Sequence, residues 1–255
     1  MATMRAMRTQ PSLVLLATLL AAAPLAAQDR EDARFRIGLG LAGGRFRFDT
    51  DGSNLQDRTD AGLFRLSFEA TSARGIGGGA RLEGFGSDDD LFADSGFTPA
   101  EASDGSLFGH FTYRLESHRF AMPLRVGLLF HGLTLTDQTT DAEITYASVG
   151  PMFEIAPEFT LVHRGKTTWS LFGEVGVGVG GTAIDVDGDS NNYDSVTSFF
   201  GLELGTRVQF GPIELGLSYL GRWQSMDESD PEGGLVVLGY DADFQGLQFG
   251  FAVVF

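Results

Sequence analysis

No cysteine occurs in the 255 residues, so disulfides and thiolate metal sites are excluded. Lysine is nearly missing too: Lys166 is the single one. Beyond the N-terminal segment, no stretch supplies the roughly 20 consecutive apolar residues that a membrane-spanning helix needs. That excludes a helical membrane protein. Positive charge is scarce, with 18 Lys and Arg against 34 Asp and Glu and a formal net charge of −16. Such a chain repels nucleic acid and attracts cations.

What is present begins with an export signal. Arg5 and Arg8 precede an apolar run from Leu13 to Leu20 and a small-residue stretch from Ala21 to Ala27, the layout of a secretory signal peptide cleaved after Ala27. The expected division is a signal peptide at 1–27 and one exported domain at 28–255. Cleavage removes two arginines and leaves 16 Lys and Arg against 34 acids, a net charge of −18. The 35 glycines are abundant for an ordinary soluble domain and call for an architecture that uses them.

Period-two alternation predicts ten strands, at 35–48, 61–72, 76–87, 106–116, 119–133, 143–162, 168–184, 195–210, 213–224 and 243–255. Eight or twelve would follow if a hairpin were split or merged. Most reach the roughly 9–11 residues a tilted strand needs to cross a bilayer. In the first, the apolar positions change parity after Gly43-Gly44, from Phe35, Ile37, Leu39 and Leu41 to Phe46 and Phe48, which reads as a β-bulge. Connections alternate between short (near 72–75, 116–119, 163–166 and 211–212) and long (49–60, 88–105, 134–142, 185–194 and 225–242). The long ones hold 21 of the 34 acids, including Asp88-Asp89-Asp90, so one end of the molecule is strongly acidic.

Each strand has one apolar face with no charge at mid-strand, which is what lipid enforces, since an exposed charge at mid-depth costs about 2–4 kcal/mol. The opposite face carries Arg36, Arg65, Arg81, Arg114, Arg125, Arg207 and Arg222, with Glu69, Glu83, Glu116, Glu154, Glu174, Glu203 and Glu214. A soluble sheet could solvate such a face. The many glycines there argue instead for a narrow lumen in which Arg–Glu pairs converge, because a solvated strand gains nothing from glycine. The expected fold is all-β: a closed, antiparallel, up-and-down transmembrane β-barrel of about ten strands.

With a signal peptide, amphipathic strands and a last strand ending Phe251-Ala252-Val253-Val254-Phe255, the chain resembles the small outer-membrane β-barrel proteins of Gram-negative bacteria. The resemblance covers the whole mature chain as architecture and implies an outer-membrane location. It also implies that Phe249, Phe251, Val253 and Phe255 form the insertion signal read by periplasmic chaperones and the barrel assembly machinery. Lipid and lipopolysaccharide are the surrounding partners, nucleic acid is not one, and a monomer is expected. Tyr113 and Trp169 are expected at the periplasmic interface and Trp223 at the outer one.

Chemistry is sparse. His118 and His163 lie by short turns, whereas His110 and His131 point inward, with Asp137 or Ser148 as possible rim partners of His131. No motif of a barrel lipase, deacylase or protease surrounds them, so an enzyme is not expected. Asp185, Asp187 and Asp189 superficially resemble a calcium loop, but Gly188 is misplaced and Val196 stands where the bidentate Glu belongs. A solvated acidic loop is the plainer reading, and no cofactor is implied. Gly75 to Gly79 leads into a strand without Gly-Lys-Ser/Thr, so it is no phosphate cradle. The leading expectation is a narrow, porin-like pore or passive transporter with a largely filled, salt-bridged lumen. The alternative is a surface structural or binding protein whose acidic loops engage cations, lipopolysaccharide or a partner, and a barrel hydrolase ranks behind both.

Overall fold

The computed structural model describes residues 33–51, 56–87, 91–92, 100–189, 191, 193–230 and 236–255. The signal-peptide expectation for 1–27, the Asp88–Asp90 run and Glu232 lie outside them. Eleven strand segments are present: β1 (Arg34–Thr50), β2 (Gln56–Thr71), β3 (Ile76–Ser87), β4 (Ala100–Glu116), β5 (Phe120–Asp137), β6 (Glu143–Ile155), β7 (Glu158–Arg164), β8 (Thr167–Val186), β9 (Tyr193–Phe210), β10 (Ile213–Met226) and β11 (Tyr240–Val254). β6 and β7 are one wall strand interrupted at Ala156-Pro157, where proline has no N–H to give the ladder. The freed groups find partners: Ala156 N donates to the Pro123 carbonyl at 2.9 Å, and Gly173 N to the Pro157 carbonyl at 2.8 Å.

The wall is therefore a closed, all-antiparallel barrel of ten strands, each paired to its sequence neighbour and β11 paired back to β1. Phe35 and Phe255 exchange both backbone hydrogen bonds, at 3.1 and 2.9 Å, where the first and last strands meet. Closure satisfies every edge within the wall, the condition a bilayer imposes on β-structure. Strands on one side join through tight turns, 72–75, 117–119, 165–166 and 211–212, and Gly75, Gly165 and Gly211 supply their positive φ of 76°, 57° and 58°. Longer connections join them on the other side. Short periplasmic turns and long external loops place the start of β1 and the end of β11 on the periplasmic side.

Large apolar side chains stand exposed around the outside, among them Leu41, Leu66, Leu82, Phe111, Leu128, Val177, Leu204, Leu217 and Phe249. An apolar belt of this extent belongs in lipid, not water. Tyr113 and Trp169 are exposed near the tight turns, and the Trp169 indole N–H donates to Thr206 Oγ1 at 2.6 Å. Trp223 lies flat over Gly221 beside Phe200, nearer the other rim.

Two expectations change. The β1 register runs unbroken through Gly43↔Leu247, Gly44↔Gly246 and Arg45↔Gln245, so there is no bulge at Gly43-Gly44. Side-chain direction keeps its parity, and Phe46 and Phe48 turn into the barrel, each 1% exposed. The strands also extend well into the expected outer loops, as at Gln56–Asp60 and Ala100–Gly105, the latter with Ala100 and Ala102 packed on the apolar cluster.

Candidate functional site: the filled lumen

The inward faces of the ten strands form two zones. At the extracellular end, seventeen buried side chains make one apolar cluster. Phe46 packs on Phe85 at 4.6 Å between ring centroids, Phe85 on Phe244 at 5.9 Å, and Tyr240 on Phe48 and Tyr146 at 5.1 and 4.8 Å. Leu91 and Phe92, from the β3–β4 connection, fold onto this cluster. Leu91 exchanges backbone hydrogen bonds with Ala100, Phe92 N donates to Asp57 Oδ2 at 2.5 Å, and Leu91 is 0% exposed. Burying each large side chain here is worth about 1.5–3 kcal/mol relative to a water-filled channel. The result is a plug.

Below the plug the lumen is ionic. Arg65 reaches Glu83 at 2.6 Å and Glu203 at 2.5 Å, and Arg81 reaches Glu154 at 2.8 Å, Glu174 at 2.7 Å and Glu83 at 3.3 Å. Arg125 joins Glu69 at 2.7 Å and Glu174 at 3.4 Å and also contacts Glu154, while Arg222 joins Glu83 at 3.1 Å and Glu174 at 3.6 Å. Four arginines and five glutamates are thus one connected network. Ser218 and Gln248 donate to Glu203 Oε1 at 2.7 and 3.2 Å, and Arg81 lies 5.5 Å from the Phe108 ring centroid. A second chain runs lower, through Arg36–Glu214 at 2.8 Å, Glu214–Arg207 at 3.6 Å, Arg207–Glu158 at 2.5 Å, Glu158–Arg114 at 3.8 Å and Arg114–Glu116 at 3.3 Å.

The fold brings all fourteen charged residues named from alternation into these two groups. Glu158 is a further member, and Arg34 lies beside the lower group without an ion pair of its own among the described residues. Glu158 opens β7 just past the Pro157 break, and Arg34 precedes the first predicted strand. Taking charges out of water costs several kcal/mol per ion, which mutual pairing offsets only when each carboxylate is well surrounded. Glu83, with three guanidinium neighbours, meets that condition, and Glu154 lies wholly buried between Arg81 and Arg125. Such a network braces opposite walls and fills the bore.

His131 does not pair with Asp137 or Ser148. Its Nε2 lies 2.7 Å from Asp104 Oδ2, one strand over on β4, while Ser148 belongs to a hydroxyl chain with Thr182 and Thr197 at 2.7 and 2.6 Å. His110 Nδ1 contacts Thr112 Oγ1 at 3.1 Å. His163, by a turn, contacts Thr168 Oγ1 at 2.9 Å. Asp185 and Asp187 are exposed, and Asp189 Oδ2 accepts from the Tyr193 hydroxyl at 2.7 Å. Among the described residues, no three His, Asp or Glu side chains are placed to hold a metal ion. Phe249 and Phe251 face outward on β11, as does Phe255 beyond its end, with Val253 half-buried between them.

A closed wall, an apolar outer belt and a charged interior define a transmembrane β-barrel of the outer-membrane type. The chain belongs to the outer membrane protein β-barrel domain family, whose model matches residues 12–255. No curated protein matches it in sequence. Among solved structures it is similar to the outer membrane protease OmpT from Escherichia coli, with 11% identity over 88% of this chain and 97% of that one and a TM-score of 0.51. It is also similar to the translocator domain of the autotransporter NalP from Neisseria meningitidis, with 9% identity over 95% and 96% and a TM-score of 0.41. The Pseudomonas putida toluene transporter TodX matches with 12% identity over 93% of each chain and a TM-score of 0.32. At these identities the OmpT likeness speaks to fold alone.

Proposed function

We propose that this barrel is a sealed outer-membrane anchor that presents an acidic extracellular rim to cations or a cationic partner. The observation that carries the reading is the apolar plug, in which buried phenylalanine and tyrosine side chains pack on one another across the extracellular end of the bore, a dense packing that disfavours passage of water and ions. Above it, the rim exposes Asp51, Asp60, Glu101, Asp141, Glu143, Asp185, Asp187, Asp194, Asp227, Glu228, Asp230 and Asp241. Arg45, Arg47 and Arg58 are the basic residues among the described ones on that side. The protein works without catalysis in this reading, and the buried His131–Asp104 pair serves as a packing element of the lumen wall.

A second reading, a narrow pore for small solutes, has one observation in its favour. A polar cavity of about 140 Å³ occupies the periplasmic half of the lumen and would become part of a conduit if the plug moved. Liposome swelling separates the two. Vesicles carrying the refolded barrel swell no faster in small sugars and amino acids than empty ones if the lumen is sealed, and swell at a size-dependent rate if it is a pore.

A further inference from the structure

Among the described residues eight arginines project into the lumen, and seven of them make ion pairs with carboxylates. Among the described residues the eighth, Arg34 at the foot of β1, has no carboxylate within 4.0 Å. It lines the 140 Å³ cavity together with Arg36, Arg114 and Arg207. The carboxylates of this tier are already committed. Glu214 is shared by Arg36 and Arg207, Glu158 by Arg207 and Arg114, and the Glu116 side chain is 64% exposed at the rim. Positive charge is therefore in excess in this periplasmic tier, with four arginines for three glutamates, whereas the network above it has five glutamates for four arginines.

The deeper wall of the same cavity has a second gap. Arg65 and Gln248 both line it and are 8% and 6% exposed, yet Arg65 Nη2 and Gln248 Oε1 have no hydrogen-bond partner. Buried polar atoms are rarely left so, and an unsatisfied charged donor is the costliest kind. A volume of about 10–15 Å³ on the same scale holds one water, so this cavity has room for a small anion and its waters.

We propose that the periplasmic half of the lumen is a binding pocket for a small oxyanion, a carboxylate or phosphate group, with Arg34 as its principal charge partner. Guanidinium groups suit this task because their planar N–H fork matches two oxygens of a carboxylate or phosphate at once. The pocket lies below the plug and does not depend on whether the plug opens.

Isothermal titration calorimetry on the full mature chain, refolded in a neutral sugar detergent at constant ionic strength, tests this with inorganic phosphate in one arm and acetate in the other. The expected result is saturable binding of one anion per barrel in at least one arm, and the tighter arm tells which group the pocket prefers. Arg34→Gln should weaken that binding at least tenfold, Arg34→Lys should weaken it less, and Arg58→Gln on the outer face should leave it unchanged. Heat-modifiable electrophoretic mobility verifies that each variant is folded. No saturable binding in either arm, or equal binding by wild type and folded Arg34→Gln, would overturn the proposal.

Discussion

The guanidinium of Arg65 on β2 meets the carboxylate of Glu203 on β9 at 2.5 Å, joining two wall strands that the barrel places four strands apart. Their contact ties the cylinder across its bore. Replacing Arg65 by Met strands Glu203 and part of Glu83 in a buried interior, and losing one partner of a buried pair costs about 3–5 kcal/mol. The double variant Arg65→Met with Glu203→Gln should recover a large part of that loss. Urea unfolding in lipid vesicles measures both, and equal instability of single and double variants would mean the pair is not coupled.

The lipid belt makes a directional statement about single charges. Leu217 is 55% exposed and lies at mid-strand opposite Phe249. Leu217→Arg should destabilise the barrel by about 2–4 kcal/mol in vesicles. Arg45→Leu, at a rim position already outside the belt, should stay within about 0.5 kcal/mol of wild type. The same urea titration reads both, and a neutral Leu217→Arg would place that face in water.

The two adjacent glycines of β1 should behave oppositely. A Cβ on Gly44 would stand 2.2 Å from the Gln245 carbonyl oxygen and 2.6 Å from Gly246 Cα, whereas one on Gly43 meets nothing within 4 Å. Gly44→Ala is expected to cost about 1–3 kcal/mol through forced backbone movement. Gly43→Ala should be tolerated. Thermal unfolding of the two variants side by side decides it.

Much of this architecture could be read from alternation alone: ten wall strands, the outward belt, and seven arginines facing seven glutamates. Which arginine meets which glutamate could not, because partners such as Arg65 and Glu203 lie 138 residues apart and meet only once closure sets the curvature of the wall. The plug was misread for a specific reason. Phe46 and Phe48 signal an inward apolar patch by their even parity, but a parity change is also what a bulge produces, and one strand by itself does not separate the two. Tyr240, Ala242 and Phe244 show the same even parity at the outer end of β11, below which the outward residues are odd. Reading both strands together points to an apolar lumen at that end. Arg34 lies one residue before the first predicted strand, where alternation carries no register, whereas Glu158 shares the even parity of Glu154 within the predicted strand 143–162 and is legible there as an inward carboxylate.

The terminal aromatic should matter for delivery more than for the finished barrel. Phe255 is 70% exposed and contributes little packing, although its backbone closes the ladder with Phe35. Phe255→Ala should therefore reduce the amount assembled in the outer membrane several-fold while leaving the refolded protein within about 0.5 kcal/mol of wild type, as for other exposed sites. Membrane fractionation and in vitro urea unfolding measure the two halves, and a parallel loss in both would make Phe255 a stability residue instead.

Single-channel recording in a planar bilayer with a salt gradient tests whether the plug seals the bore. The refolded wild-type barrel should give no conductance steps, while truncating the plug with Phe46→Ala and Phe244→Ala together should produce them. Reproducible cation-selective steps from the wild-type protein would rule out a sealed bore and establish the lumen as an open pore.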